Sequence, residues 1–196
     1  MSDENLNPII QFKEWFNLAI SKEINDPNAM CLSTVSQDNK PHSRMVLLKD
    51  FNDRGFIFYT NYESNKGKDI YSNVNVCLNF HWKSLLRQVR VEGVIEKLPS
   101  EASDKYFNSR HYLSRIGAWA SNQSNLLDKR EDLEKKIEFF KKKYPDMGNV
   151  PRPSYWGGFL VKYYKIEFWQ DMPHRIHQRT VYEITNNVWE QYTLSP

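Results

Sequence analysis

Val74-Asn-Val-Cys-Leu-Asn-Phe-His-Trp82 decides the fold. Val74, Val76, Leu78, Phe80 and Trp82 alternate with Asn75, Cys77, Asn79 and His81 in a strict period of two, the pattern of an extended strand with one apolar face. After a turn near Lys83–Leu86, Arg87–Leu98 returns as its hairpin partner. Upstream, Ala29–Ser36, a polar turn at Gln37–Lys40, His42–Lys49, a turn at Asn52–Gly55 and the apolar run Phe56–Thr60 continue the strand texture. Downstream, Gly157–Trp169 resumes it, and Thr180–Ile184 and Val188–Leu194 flank an Asn186-Asn187 hairpin turn. Strands at this close spacing, several joined by hairpin-length turns, predict an antiparallel barrel.

Helices are expected around it. Asn7-Pro8 is a good start, Asn as N-cap and Pro at the first helical position, and Ile9, Phe12, Phe16, Ala19 and Ile20 then form one apolar face before Asn25-Asp-Pro27. A small helix is expected over Asn65–Tyr71. A helical block follows the hairpin: from a Ser100 cap to about Arg110, over Ser114–Ala120, and from a Ser124 cap through Tyr144, where Glu131–Lys135, Asp132–Lys136 and Glu138–Lys142 are i,i+4 pairs on a solvated face. The reading is a single domain over 1–196, with an N-terminal helical segment at 1–27, barrel strands at 28–98 and 154–196, and a helical insertion at 99–150.

Composition narrows the function classes. A formal net charge of +3 is too small for a polyanion-binding surface, so no nucleic acid is expected. No apolar run reaches membrane-spanning length, and Met1-Ser-Asp-Glu-Asn5 is acidic without a signal-peptide pattern, so a cytoplasmic chain is expected. Cys31 and Cys77 fall in strand-like runs as reduced core residues; His174-x-x-His177 lacks a Cys or carboxylate partner at ligand spacing, and no metal is expected. Walker, Gly-x-Gly-x-x-Gly and Gly-x-Ser-x-Gly signatures are all absent.

Several groups look prepared for an anionic, planar ligand. Ile166–Arg179 packs Trp169, His174, Arg175, His177 and Arg179 together, guanidinium forks beside π surfaces, although the same composition suits an exposed loop closing a sheet. Ser64-Asn65-Lys66 and Gln123-Ser124 read as helix starts able to receive phosphate, or as ordinary caps. Arg44 and Lys49 bracket Met45-Val-Leu-Leu48; their odd separation sends them to opposite faces of a regular strand, to two anionic groups, unless a bulge intervenes. Tyr106, Arg110 and Ser114, four residues apart in turn, make a phosphate clamp.

In this order, Arg44–Lys49, Phe58-Tyr-Thr-Asn61, Arg87-Gln-Val-Arg-Val-Glu-Gly93, Tyr106-Phe-Asn-Ser-Arg110, Ile116-Gly-Ala-Trp119, Gln123-Ser124, Pro153–Phe159 and Ile166–Arg179 resemble the pyridoxine/pyridoxamine 5′-phosphate oxidase family, from residue 28 or so to the C-terminus. The resemblance implies a mainly β fold with helical additions, the antiparallel, six- to eight-stranded FMN-binding split β-barrel, active as a homodimer with FMN at the subunit interface. It implies flavin contacts at Arg44, Met45, Val46, Leu47, Leu48, Lys49, Tyr59, Thr60, Asn65, Lys66, Gln88 (from the partner chain), Gln123, Ser124, Trp169 and Arg179. The phosphorylated pyridine substrate would meet Lys49, Tyr106, Arg110 and Ser114 at its phosphate, and Arg175 and His177, the candidate catalytic pair, over its ring. The implied reaction is oxidation of pyridoxamine or pyridoxine 5′-phosphate to pyridoxal 5′-phosphate by O₂, giving H₂O₂. A related flavoenzyme for another ring, or a non-catalytic FMN-binding protein, are the alternatives.

Departures from the family pattern are expected to matter. Asn65 stands where an arginine is usual, which predicts weaker flavin-phosphate binding. A basic, tyrosine-bearing N-terminal lid is expected to be missing; Asp171-Met-Pro173 replaces a glycine-rich loop, and Thr193 an arginine.

Overall fold

The computed structural model describes residues 7–196; the acidic Met1–Asn5 segment lies outside them. The helix α1 (Pro8–Lys22) starts as the sequence predicts, Asn7 Oδ1 accepting from Ile9 N–H at 2.9 Å. Next come β1 (Ala29–Val35), β2 (Pro41–Leu47), β3 (Asp50–Asn52), β4 (Gly55–Asn61), α2 (Asn65–Ser72), β5 (Asn75–Trp82) and β6 (Arg87–Lys97). The helices α3 (Ser100–Ser109), α4 (Tyr112–Ala120) and α5 (Arg130–Lys143) precede β7 (Trp156–Gln170), β8 (Gln178–Thr185) and β9 (Val188–Thr193).

All pairings are antiparallel, in the order β2-β1-β5-β6-β7-β4-β3, with β8 on β7 and β9 on β8. The sheet has nine strands rather than six to eight, because three residues after β2 form the short β3. The β5–β6 hairpin keeps its expected register, from Asn75 opposite Val94 to Trp82 opposite Arg87. On its other edge β6 lies along β7, which has two neighbours in succession: residues 156–161 pair with β4 and residues 165–170 with β8. One long strand therefore serves two arms of the sheet, and each arm carries a different set of candidate site residues. The ladder shifts at Glu92/Gly93, a β-bulge that bends the sheet there.

Inside the curl, Val76, Leu78, Phe80 and Trp82 are buried with Met30, Leu32, Val89, Val91 and Phe168, while Val74 sits before β5 and is 46% exposed. Phe12 of α1 is fully buried and meets Phe51, Phe56 and Phe80 edge-on at 4.8 to 5.1 Å between ring centres. Burying aromatic rings of this size contributes about 1.5–3 kcal/mol each, so α1 is bound to the sheet chiefly through Phe12. A second cluster, Phe107, Ile116, Val150 and Trp156, fastens α3 and α4 to the start of β7.

Three helix boundaries differ from expectation. Ser100 is the first residue of α3 and Pro99 its cap. Tyr112 begins α4, with His111 as cap. Ser124 caps nothing: it takes φ 70°, and α5 starts at Arg130. A residue in the left-handed region cannot hold the extended geometry of an N-cap. The charges of α5 pair as Asp132–Lys135, Glu138–Lys141 and Arg130–Glu134 rather than in the expected combinations; positions three apart are neighbours on a helix as well.

Candidate active site

A cavity of about 670 Å³ lies where β2, β4, α2 and α4 converge, a size suited to a ligand with a ring system. Met45, Val46, Leu47, Lys49, Tyr59, Thr60, Lys66, Tyr106, Arg110, Ser114 and Gln123 line it, all of them candidates from the sequence. Asn61, His111, Gly117, Ala118, Ser121 and Trp156 line it too and were not site candidates, although Asn61, Gly117, Ala118 and Trp156 lie in segments that carry the resemblance. His111, between two candidates, could have been found from its place in the Arg110–Ser114 segment.

One corner of the cavity is held by α2. The helix follows β4 at once, and Gly67 permits the tight approach, since a Cβ there would lie 1.8 Å from the Tyr62 carbonyl oxygen. Ser64 precedes the helix without capping it through its side chain; its Oγ instead accepts from Lys66 Nζ at 3.0 Å. Gln123 Oε1 accepts from the same ammonium at 3.1 Å. Burial, with the Arg44 charge beside it, pushes the Lys66 ammonium down to about 8. Lys66 has no carboxylate partner among the described residues, so this corner is short of negative charge. The sequence pairing of Gln123-Ser124 with a helix start is thus corrected: both belong to the turn before α5, where Gln123 holds Lys66 and Ser124 Oγ accepts from Asn65 N–H at 3.3 Å. Arg44 and Lys49 do part. Arg44 turns inward onto the Leu32 carbonyl and Thr34, and Lys49 lies beyond the end of β2, lining the cavity. Leu48 between them is buried and donates its N–H to the Asn28 carbonyl at 2.8 Å.

The second corner is the Tyr106–Arg110–Ser114 face of α3 and α4. Tyr106 stacks on Tyr59 at 3.8 Å between centroids, and the Arg110 guanidinium lies 4.5 Å over the Trp156 ring. One terminal nitrogen of Arg110 is buried with no hydrogen-bond partner. A buried guanidinium nitrogen without an acceptor is costly, and an incoming oxyanion removes that cost. His111 Nδ1 accepts from Leu113 N–H at 3.3 Å, which places the proton of a neutral ring on Nε2.

The remaining candidates lie elsewhere on the chain, on a ledge formed by β6, β7 and β8. Gln88 is opposite Trp169, and Trp169 opposite Arg179, one row across three strands. Arg179 Nε donates to Glu167 Oε1 at 2.7 Å; Glu167 is 3% exposed and its other oxygen lies 3.0 Å from Arg90, an ion pair without hydrogen-bond alignment. The His177 ring tilts against Trp169 at 4.6 Å. Its Nδ1 accepts from Met172 N–H at 3.4 Å and lies 2.9 Å from Asp171 Oδ1, a contact without hydrogen-bond alignment that becomes an ion pair when the ring is protonated. His174 and Arg175 both adopt left-handed backbone, φ 58° and 62°. Two consecutive non-glycine residues there cost about 1–2 kcal/mol each, strain of the kind that persists where a side chain must be aimed. None of these ledge residues lines the cavity of the single chain.

The architecture is that of the FMN-binding split barrel: a pyridoxamine 5′-phosphate oxidase-related, FMN binding protein from Nostoc punctiforme superimposes with a TM-score of 0.76 over 98% of this chain and 99% of that one, at 14% identity. Within this class the chain belongs to the pyridoxamine 5′-phosphate oxidase family. Residues 16–143 match the family model of that name, and residues 156–196 match the pyridoxine 5′-phosphate oxidase C-terminal dimerisation region. Proteins named pyridoxine/pyridoxamine 5′-phosphate oxidase are similar over nearly the whole chain: that of Gloeothece citriformis is 49% identical over 100% of this chain and 91% of its own, and that of Pelagibacter ubique 48% over 98% and 93%. The crystal structure of PhzG from Burkholderia lata with tetrahydrophenazine-1-carboxylic acid superimposes with a TM-score of 0.92, at 27% identity, over 99% of this chain and 95% of that one.

Proposed function

We propose that this chain is the subunit of a homodimeric FMN-dependent oxidase that converts pyridoxamine or pyridoxine 5′-phosphate to pyridoxal 5′-phosphate, with O₂ as acceptor and H₂O₂ as product. The observation that carries this reading is the pair of separate cations lining one cavity, Lys66 and Arg110, each desolvated and without a carboxylate partner among the described residues. A flavin mononucleotide and a phosphorylated pyridine each bring one phosphate.

Lys66 and Arg44 would hold the flavin phosphate, and the β2 segment Met45–Leu48 would edge its ring. Thr60, Asn65, Gln123 and Ser124 complete that corner. Lys49, Tyr106, Arg110 and Ser114 would hold the substrate phosphate, fixing the reacting carbon by its far end. Gln88, Trp169, Arg175, His177 and Arg179 would be supplied by the partner subunit's ledge, a reading supported by the match of residues 156–196 to a dimerisation region. Arg175 and His177 would then lie over the substrate ring, where they can stabilise charge or assist proton removal at the substrate's amine or alcohol. Bound FMN supplies the hydride acceptor and its reoxidation by O₂.

The Burkholderia lata structure favours one other reading, a flavoenzyme for a different ring. An unphosphorylated substrate would leave the Arg110 nitrogen without its acceptor, which argues for the phosphorylated pyridine. The deciding experiment mixes FMN-loaded protein with pyridoxamine 5′-phosphate without air and follows the flavin absorbance. Bleaching that reverses on admitting air, with pyridoxal 5′-phosphate formed, is expected. A flavin that stays oxidised overturns the assignment.

A further inference from the structure

Behind the Lys66 corner lies a buried polar relay that no cavity-lining residue explains. Asp69, on α2 one turn after Lys66, is 5% exposed. Its Oδ2 accepts from Thr34 Oγ1 at 2.6 Å, is 3.0 Å from His42 Nδ1, and lies 3.5 Å from a terminal nitrogen of Arg44. Thr34 is itself 1% exposed, and its Oγ1 also accepts from the other terminal nitrogen of Arg44 at 2.7 Å. That nitrogen reaches the Leu32 carbonyl at 3.1 Å as well. Three strand side chains, Thr34, His42 and Arg44, therefore converge on one carboxylate oxygen of α2.

A side chain as flexible as arginine, with about 2 kcal/mol of rotamer entropy to lose, does not hold one orientation unaided. Here one terminal nitrogen is tied to the Leu32 carbonyl and to a hydroxyl whose own proton is committed to Asp69, and the other lies against Asp69 itself. The hydroxyl must donate to the carboxylate, so it can only accept from Arg44; the direction of every bond in the relay is set by the charge on Asp69. Burial works against that charge, but the hydrogen bonds from Thr34 and His42 and the Arg44 charge hold the carboxyl below its ordinary range. The carboxylate also sits on the same helix as Lys66, so it couples the positions of the two cations.

We infer that Asp69, acting through Thr34, is the positioning residue of the flavin-phosphate corner: it fixes the Arg44 guanidinium and Lys66 in register so that both meet one phosphate. This rests on the assignment of that corner to the FMN phosphate. It also accounts for binding without the arginine that Asn65 replaces, since two pre-oriented cations lose less freedom on binding than three mobile ones.

The test compares FMN with riboflavin, which has the ring and ribityl chain but no phosphate, in fluorescence titrations of flavin-stripped protein. Wild type should bind FMN much more tightly than riboflavin. T34V, which removes the hydroxyl while keeping the shape, and D69N should each weaken FMN about tenfold or more and leave riboflavin unchanged, so the preference for the phosphate collapses. T34S keeps the hydroxyl and should recover most of what T34V loses. Parallel weakening of both flavins in T34V and D69N would mean a merely structural role, and unchanged FMN affinity would mean no role; either result overturns the inference. A wild type that binds flavin without preferring FMN would instead remove the phosphate assignment on which it rests.

Discussion

The cavity and the ledge handle charge in opposite ways. In the cavity, Lys66 and Arg110 are desolvated and unmatched by any carboxylate among the described residues, and Arg110 leaves a buried nitrogen unbonded. On the ledge, Arg179 and Arg90 share the buried Glu167, and His177 is paired with Asp171. Leaving cations unpaired out of water is unfavourable for the folded chain and favourable for an incoming anion, so the cavity is predisposed to anions. The ledge is already neutralised; what it offers is a row of flat surfaces and one backbone-strained arginine. We propose that binding and chemistry are divided between these two regions, which β7 links by pairing with β4 through residues 156–161 and with β8 through residues 165–170.

Arg175→Ala should strike the ledge alone. Turnover of pyridoxamine 5′-phosphate is expected to fall about a hundredfold or more while FMN stays bound. Loss of flavin in that variant would break the division, because it would make Arg175 part of the flavin site. Arg110→Ala should instead raise KM for the phosphorylated substrate by about ten- to a hundredfold, with FMN again retained. Mixing the two is sharper still. If each active site takes its cavity from one subunit and its ledge from the other, a heterodimer of the two variants contains one intact and one doubly damaged site. Random reassembly of equal amounts should then recover roughly a quarter of wild-type activity by simple mixing statistics. No recovery would show that cavity and ledge serve each other within one chain.

The unpaired cation also predicts a pH dependence. Lys66 titrates at about 8 in the flavin-free fold, against 10.5 for an ordinary lysine. Between those values the unfolded chain holds the proton and the folded one does not, so the contribution of Lys66 to the stability of the flavin-free protein rises with pH from about 8 to 10.5. A bound phosphate favours the charged form and cancels that gain. FMN affinity should therefore decline above pH 8, by up to tenfold per pH unit, with proton uptake on binding measurable in weakly buffered titrations. Thermal melts of flavin-free and FMN-loaded protein across this range check the sign: only the former should rise.

Much of this was legible in the sequence because sheet and cavity rest on different kinds of signal. Val76 to Trp82 fixed strand, face and register together, since a period of two leaves one way to bury four apolar side chains. The cavity candidates were recovered through ordered short segments that resemble a family, and eleven of them do line one cavity. The errors fall where the backbone departs from regular geometry. Asp50–Asn52 is too short and too polar to announce a strand, and pairs with β4 because β2 runs directly into it. Ser124 looked like a cap by residue type, but at φ 70° its hydroxyl reaches back to α2. Asp171 read only as the loss of a glycine-rich loop; folded, its carboxylate lies 2.9 Å from His177 Nδ1. Residue identity does not encode φ, and at Ser124 it is φ that decides.

His111 gives the smallest and most selective test. It is an exposed cap of α4 whose Nδ1 is occupied by Leu113 N–H and whose ring borders the cavity beside Arg110 and Ser114. Asparagine places an acceptor near the same point and is itself a good cap, but has no atom where Nε2 lies. Glutamine reverses this, extending a donor toward the Nε2 position and giving up the cap. If Nε2–H contributes to the substrate phosphate, His111→Asn should raise KM about three- to tenfold with kcat unchanged and no loss of thermal stability, the range of one neutral hydrogen bond. His111→Gln should then keep KM closer to wild type while losing about 1 kcal/mol of stability. The reverse pattern, with Gln impaired in KM and Asn normal, would assign His111 to holding α4 in place, and would confine the substrate-phosphate corner to Lys49, Tyr106, Arg110 and Ser114.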